Sequence, residues 1–211
     1  MAQIRGARWA EKDLVAAMIA EALQPAPIAG WLVPDEEQRG RVLADVAAIW
    51  VEHAMFYGDV YICTDLTAGM VCFHRYRPIP PPANYTDRLA TAAGPHAERF
   101  RALDDIMDSR QPTTAHYHLA YLAVRPAYQR NGRGRALMTH LCSRLDLIEL
   151  PSWTVTLPAG ERLLTRAGFQ ADHAIARPAD GVAVQPMMRP GQRGETATDA
   201  LRPASRRNLQ V

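Results

Sequence analysis

A single mixed α/β domain is predicted for this chain, on three observations. Segments with apolar residues at helical spacing alternate with short apolar runs bounded by turn residues. One such run, residues 116–124, passes through a glycine-containing turn straight into an amphipathic helix. The length of 211 residues, with 48% hydrophobic and 22% charged residues, suits one substantial core.

The elements follow in order. Residues 11–23 carry Leu14, Val15, Met18, Ile19 and Leu23 at helical spacing, and Pro25 and Pro27 stop that helix. Trp31, between Gly30 and Pro34, then falls in a loop between two helices. Pro34 and Asp35 open a second helix with Val42, Leu43, Val46 and Ile49 apolar. Residues 59–64 and 69–76 read as strands joined by a turn at 65–69, and Pro78 to Pro82 as an extended stretch. Residues 84–109 are helical, broken at Gly94-Pro95. Residues 116–124 form the central strand, and 126–148 the turn and helix, with Leu137, Leu141, Leu145 and Ile148 on one face. A strand at 153–157, a short helix at 161–167 and paired strands at 170–177 and 182–188 complete the domain, 1–188. There is no internal repeat. From Arg189 onward five arginines face two carboxylates among Gly, Pro, Ser and Thr, and residues 189–211 read as a basic, flexible tail.

Composition excludes several classes. The N-terminus has no apolar core and so no secretory signal, and no apolar run is long enough to span a membrane. The three cysteines, Cys63, Cys72 and Cys142, lack C-x-x-C spacing and suit buried thiols in a reducing cytoplasm. The tail has no aromatics, so a solvated tail is favoured over nucleic-acid binding. No G-x-S-x-G elbow and no zinc framework occur.

The turn at Gln129-Arg130-Asn131-Gly132-Arg133-Gly134 carries the chemistry. Glycines at a helix start let a ligand approach bare backbone, and the first helix amides lack internal partners. They also sit at the positive end of the helix dipole, so an anion such as a pyrophosphate is their natural guest. Arg130, Arg133 and Arg135 add charge there. A dinucleotide fingerprint or a P-loop would need strings that are absent.

Gln129, Gly132 and Gly134 instead resemble the Q/R-x-x-G-x-G/A signature of the GCN5-related N-acetyltransferase (GNAT) family. Leu122-Ala123-Val124, with Pro126 beyond, is similar to that family's fourth strand, and Thr165 to Phe169 to its late helix ending in Gly-Phe. The resemblance implies a mostly antiparallel central sheet flanked by helices and splayed after the central strand. It implies acetyl-CoA as co-substrate, with pantetheine along the main chain of Leu122, Ala123 and Val124. The pyrophosphate would rest on the amides of Arg130, Asn131, Gly132, Arg133, Gly134 and Arg135. The helix-rich insert before the central strand resembles the branch with puromycin-type small-molecule acetyltransferases. That layout implies a small-molecule amine as acceptor; a monomer or homodimer is the separate expectation for assembly. A non-catalytic CoA-binding protein and a protein N-acetyltransferase are the alternatives.

Acetyl transfer needs a neutral amine, whereas an alkyl amine has a pKa of ~10, so a base is required. Some family members carry a glutamate where this chain has His118. With a reference pKa of ~6.5, a histidine is a competent base near neutrality. His118 is the candidate catalytic residue, set against a histidine that merely hydrogen-bonds in the core. His116 shares its face, but with no third ligand in view no metal site is expected. Many members place a tyrosine near the CoA sulfur at the position of Leu164 here, and an asparagine at that of Gly160. A leucine cannot donate a proton, so the thiolate would leave unassisted, with water, or with a hydroxyl from elsewhere. Trp31, Trp50, Phe56, Tyr57, Phe73, Tyr76 and Tyr85 lie in segments that wall the acceptor side in the family. Asp104, Asp105 and Asp108 read as a solvated acidic helix face, favoured over a site that attracts a cation. Tyr117 and Tyr121 read as packed aromatics.

Overall fold

Among the described residues seven strands build one sheet, in the order β1 (Ile4–Gly6), β2 (Gly58–Cys63), β3 (Ala68–Arg75), β4 (His116–Val124), β5 (Ser152–Thr156), β7 (Gln185–Arg189) and β6 (Gln170–Ala171). The computed structural model describes residues 3–178 and 181–191. Every pairing is antiparallel except β4–β5. Parallel neighbours need a long crossover, and the helix α6 (Arg133–Asp146) supplies it.

Helices cover both faces. On one side lie α1 (Lys12–Leu23), α2 (Pro27–Leu32), α3 (Glu36–Tyr57), α4 (Tyr85–Ala93) and α5 (Ala97–Arg110). On the other lie α6 and α7 (Pro158–Arg166). Asp35 caps α3 by accepting from the amides of Glu37 and Gln38, satisfying two of the helix's orphan donors. Leu137, Leu141 and Leu145 bury the stripe of α6 against β2, β3 and β4.

Two features of β4 position the site. Val71 pairs with Tyr121 and Cys72 with Leu119, so Ala120 is an extra residue in the ladder. Such a bulge flips the side-chain phase. Tyr117, Leu119, Leu122 and Val124 therefore all pack on the α6 side, while Tyr121 and Ala123 face the α1–α3 side. Second, β4 pairs with β5 only from Tyr117 to Leu119 against Ser152 to Thr154. The Thr154 hydroxyl closes that stretch by donating to the Leu119 carbonyl at 2.7 Å. Beyond it β5 pairs with β7 alone, and the two parallel strands diverge. The expected splay follows from this short register.

Several elements differ from expectation. Pro27 does not only end a helix; it opens α2 at its first turn, where the missing N–H costs nothing. Trp31 is thus helical rather than in a loop, and Ile28, Ala29 and Leu32 anchor α2 in the core. β1 carries no strand pattern in the sequence and is held by pairing with β2. The ladder of α6 stops at Asp146, Glu149 takes φ 51°, and Ile148 is exposed rather than on the buried stripe. The strand expected at 170–177 shrinks to β6 plus an isolated bridge between Ala176 and Val184. Arg189 closes β7, is buried, and donates to Asp146 at 2.6 Å and to the Ala167 carbonyl. The remainder of the expected tail, residues 192–211, lies outside the described residues.

Candidate active site

The signature residues fall on one continuous strand–turn–helix. Leu122, Ala123 and Val124 lie past the last β4–β5 pair, so their main chain, paired with β3 on one side, has no strand beside it on the β5 side. Gln129 donates from Nε2 to the Val124 carbonyl at 3.1 Å, tying the turn to the strand end. Arg130 and Gly132 take positive φ, 62° and 76°. Gly132 is the N-cap of α6, offers no side chain, and has open space where a Cβ would stand. Ala136 makes the first ladder bond, to the Gly132 carbonyl. The amides of Arg133, Gly134 and Arg135 precede it, as donors a helix start leaves over.

Gly134 has a packing role. A Cβ there would stand 3.0 Å from Leu163 Cδ2 and 3.7 Å from Val124 Cγ2, so α7 closes against the turn. Arg133 is engaged elsewhere: its guanidinium pairs with Asp65 at 2.6 Å and lies over the Tyr128 ring. Its charge, expected to add to the positive field of the turn, is largely compensated by Asp65. Arg130, Asn131 and Arg135 are exposed.

On the α1–α5 face a cavity of about 460 Å³ meets the divergence of β4 and β5, a size suited to a small organic molecule. Ala120 and Tyr121 of β4, Thr156 at the end of β5 and Leu157 just after it line one part of it. α5 and the Pro80 to Pro82 segment form another wall. Of the seven candidate aromatics, Trp50, Phe73 and Tyr85 line it, with Trp50 set 5.2 Å from the Tyr85 ring and 6.0 Å from that of Phe73. Phe56 is exposed beside Trp9, Tyr76 stacks on His74, Tyr57 packs on His53 and Trp31 packs against the neighbouring core.

His118 lines the cavity at 6% exposure, between the rings of Trp153 (4.9 Å) and Phe73 (6.0 Å). Neither ring nitrogen has a partner. Burial, aided by Arg75 and His116, pushes its pKa down to about 3. The premise of a base titrating near neutrality is therefore corrected, because no carboxylate or carbonyl steadies the cation. Stability should register this. The unfolded histidine takes up a proton below pH ~6.5, and the folded one does not until about 3. More protons on the unfolded chain mean stability falls as pH drops through that window. At 1.36 kcal/mol per unit, His118→Gln should recover about 2 kcal/mol of the loss between pH 6.5 and 5. Urea melts at several pH values check this; an unchanged slope contradicts it.

Asp104 is the residue that sequence reading placed wrongly. It shares the cavity stripe of α5 with Phe100, Leu103, Met107 and Asp108, and it accepts a hydrogen bond from the Tyr85 hydroxyl. Burial lifts its pKa to about 7, with Asp108 and Asp105 adding to the rise and Tyr85 opposing it. The signal was available: Asp104 interrupts the apolar spacing Phe100–Leu103–Met107, where a carboxylate is inward rather than solvated. Asp105 and Asp108 are exposed, Asp108 at the cavity lining and Asp105 away from it. Tyr117 is a buried aromatic whose hydroxyl donates to Asp59.

Leu164 is buried against the α6-side core. A Cβ on Gly160 would stand 2.3 Å from Thr156 Oγ1, so the threonine hydroxyl fills the space a longer side chain would need. Among the described residues no group of three or more His, Cys, Asp or Glu side chains converges as a metal site. Among them, too, no helix is long and apolar enough to cross a membrane.

Known proteins agree with this architecture. The sequence model of the acetyltransferase (GNAT) family matches residues 18–169, and the chain belongs to that family. No curated protein matches it by sequence. Among solved structures it is similar to a histone acetyltransferase HPA2 and related acetyltransferase from Corynebacterium glutamicum. The two are 18% identical, with a TM-score of 0.70 over 93% of this chain and 100% of that one. It is also similar to a mosquito arylalkylamine N-acetyltransferase like 5b, at 16% identity and TM-score 0.56 over 90% and 100%. A third is the ribosomal-protein-S18-alanine N-acetyltransferase from Escherichia coli, at 16% and 0.52 over 92% and 97%. At these identities the likeness concerns the fold.

Proposed function

We propose that this protein moves an acetyl group from acetyl-CoA to the amine of a small molecule held in the cavity. One observation carries the reading. A largely apolar cavity of about 460 Å³ reaches β4 and β5 where they part, and β4 runs on from it along an edge free on the β5 side towards the glycine-led start of α6.

Acetyl-CoA supplies an activated acyl group as a thioester. The amide and carbonyl groups of Leu122, Ala123 and Val124 hold its pantetheine arm as an added strand would be held. The amides of Arg130 to Arg135, with open space over Gly132, receive the pyrophosphate; Gln129 braces the turn through Val124. The bulge at Ala120 turns Tyr121 into the cavity, so the strand edge and the acceptor meet at one place. His118 serves as a neutral cavity wall and hydrogen-bond acceptor, not as a titrating base.

A small acceptor fits better than a protein tail. The cavity is bounded by α5 and a proline segment, whereas an extended peptide needs a long groove with free edges. That agrees with the small-molecule branch suggested by the helical insert, α4 and α5. Thiol release from acetyl-CoA across a panel of small amines and N-terminal peptides tests the reading. Turnover with small amines is expected, at least 100-fold above the peptides in kcat/KM. Turnover with peptides alone contradicts the acceptor class, and none with any amine favours a CoA-binding protein without catalysis.

A further inference from the structure

The cavity contains a built polar feature that the acetyl-transfer reading leaves unused. Tyr85 of α4 donates its hydroxyl to Asp104 of α5, inside walls made largely of apolar and aromatic side chains. The ring of Trp50 stands 5.2 Å from that of Tyr85, and His53 and Phe73 stand within 6.2 Å of Trp50. A second polar group faces the same space: His118 is more than nine-tenths buried, with both ring nitrogens unpartnered. Aromatic faces and a carboxylate together attract a desolvated cation. Apolar walls select a compact hydrocarbon body.

We infer that Asp104 is the group that receives the acceptor as an ammonium ion and takes its proton, so that the acceptors are compact aromatic or apolar primary amines. This rests on the acetyltransferase reading and names its acceptor class. The step balances. Asp104 takes one proton from R–NH3+, leaving R–NH2 with a free lone pair. The nitrogen forms a bond to the thioester carbon as the carbon–sulfur bond breaks and its electrons leave with the CoA sulfur. A second proton passes from nitrogen to that sulfur. Asp104 then returns its own proton to solvent, so the products are the amide, the free thiol and one released proton.

The titratable and charged groups that line the cavity with Asp104 are Tyr85 from α4, Asp108 from its own helix, Arg75 from β3, His53 from α3, and His118 and Tyr121 from β4. Asp105 adds negative charge from the exposed side. Asp104 titrates at about 7 and an alkyl ammonium at ~10. Between these values the reactive pair, carboxylate plus ammonium, keeps a constant population.

The probe is 2-phenylethylamine, with 2-phenylethanol as its uncharged counterpart, on the full chain. For the wild type, kcat/KM should rise up to pH 7 and stay flat from 7.5 to 9.5. Asp104→Asn should lose at least 100-fold at pH 7.5 and then climb about tenfold per pH unit, since only neutral amine reacts. Tyr85→Phe should move the acidic limb upward, because the donor that holds the carboxylate down is gone. A merely structural role would move neither profile. Asp105→Asn is the control and should stay within twofold. Direct calorimetry of the amine without acetyl-CoA separates the two readings. Asp104→Asn should weaken 2-phenylethylamine at least tenfold and leave 2-phenylethanol unchanged. Loss of acetyl-CoA binding with that amine result intact removes the acetyltransferase reading and leaves the ammonium site. Equal amine affinity in wild type and Asp104→Asn, or no amine binding by the wild type, overturns the assignment of Asp104.

Discussion

Gly58→Ala should remove about 4 kcal/mol or more of stability, the upper end for single substitutions. Gly58 opens β2 opposite Phe73. A Cβ there would stand 1.8 Å from the Cys72 carbonyl oxygen and 2.8 Å from its carbon. Those are backbone atoms of β3, a strand paired on both sides, so no side-chain rotation relieves the clash. The cause is close approach, not backbone strain, because φ at Gly58 is an extended −166°. Set against a typical stability of about 5–15 kcal/mol, the variant is largely unfolded or melts far below the parent. Gly6→Ala is the matched control: Gly6 lies on edge strand β1 with nothing within 4 Å of its Cβ position. It should change stability by about 0.5 kcal/mol or less. Urea denaturation of both checks this, and equal midpoints for Gly58→Ala and the parent contradict it.

The second large effect concerns the cofactor. Gly132→Glu should raise the dissociation constant for acetyl-CoA at least 100-fold, about 2.7 kcal/mol. Two causes add. Gly132 holds φ 76°, a conformation costing an L-residue about 1–2 kcal/mol. The new carboxylate also enters the open space at the positive end of α6 and repels the pyrophosphate there. Gly132→Asn separates the causes, since asparagine tolerates left-handed backbone and carries no charge. It should retain affinity within about fivefold. Isothermal titration of the three proteins, with circular dichroism to confirm folding, gives the comparison. Equal affinity for parent and Gly132→Glu would move the pyrophosphate away from the turn.

What the sequence revealed depended on how local the signal was. The strand at 116–124, the turn at 129–134 and the stripe Leu137, Leu141, Leu145 were legible because each is written in consecutive residues. The two-residue β6 and three-residue β1 were not, because such short strands exist only through their partners. α2 was hidden by Pro27, which reads as a stop and acts as a start. The bulge at Ala120 leaves no mark in composition, yet it decides that Tyr121 faces the cavity. His118 was placed correctly on its strand, but its basicity was misjudged because burial between Trp153 and Phe73 is a tertiary property. Asp104 was read with its acidic neighbours as one charged face. The helical period separates it from Asp105 and puts it among Phe100, Leu103 and Met107.

The central claim is that acetyl-CoA lies along the free edge of β4 and over the start of α6. Amide-resolved NMR during an acetyl-CoA titration tests it most directly. The predicted result is saturable shifts concentrated at the amides of residues 122–124 and 130–136, with Tyr121 and Thr156 responding at the cavity mouth. Shifts confined to other surfaces, or none at millimolar acetyl-CoA, would contradict it.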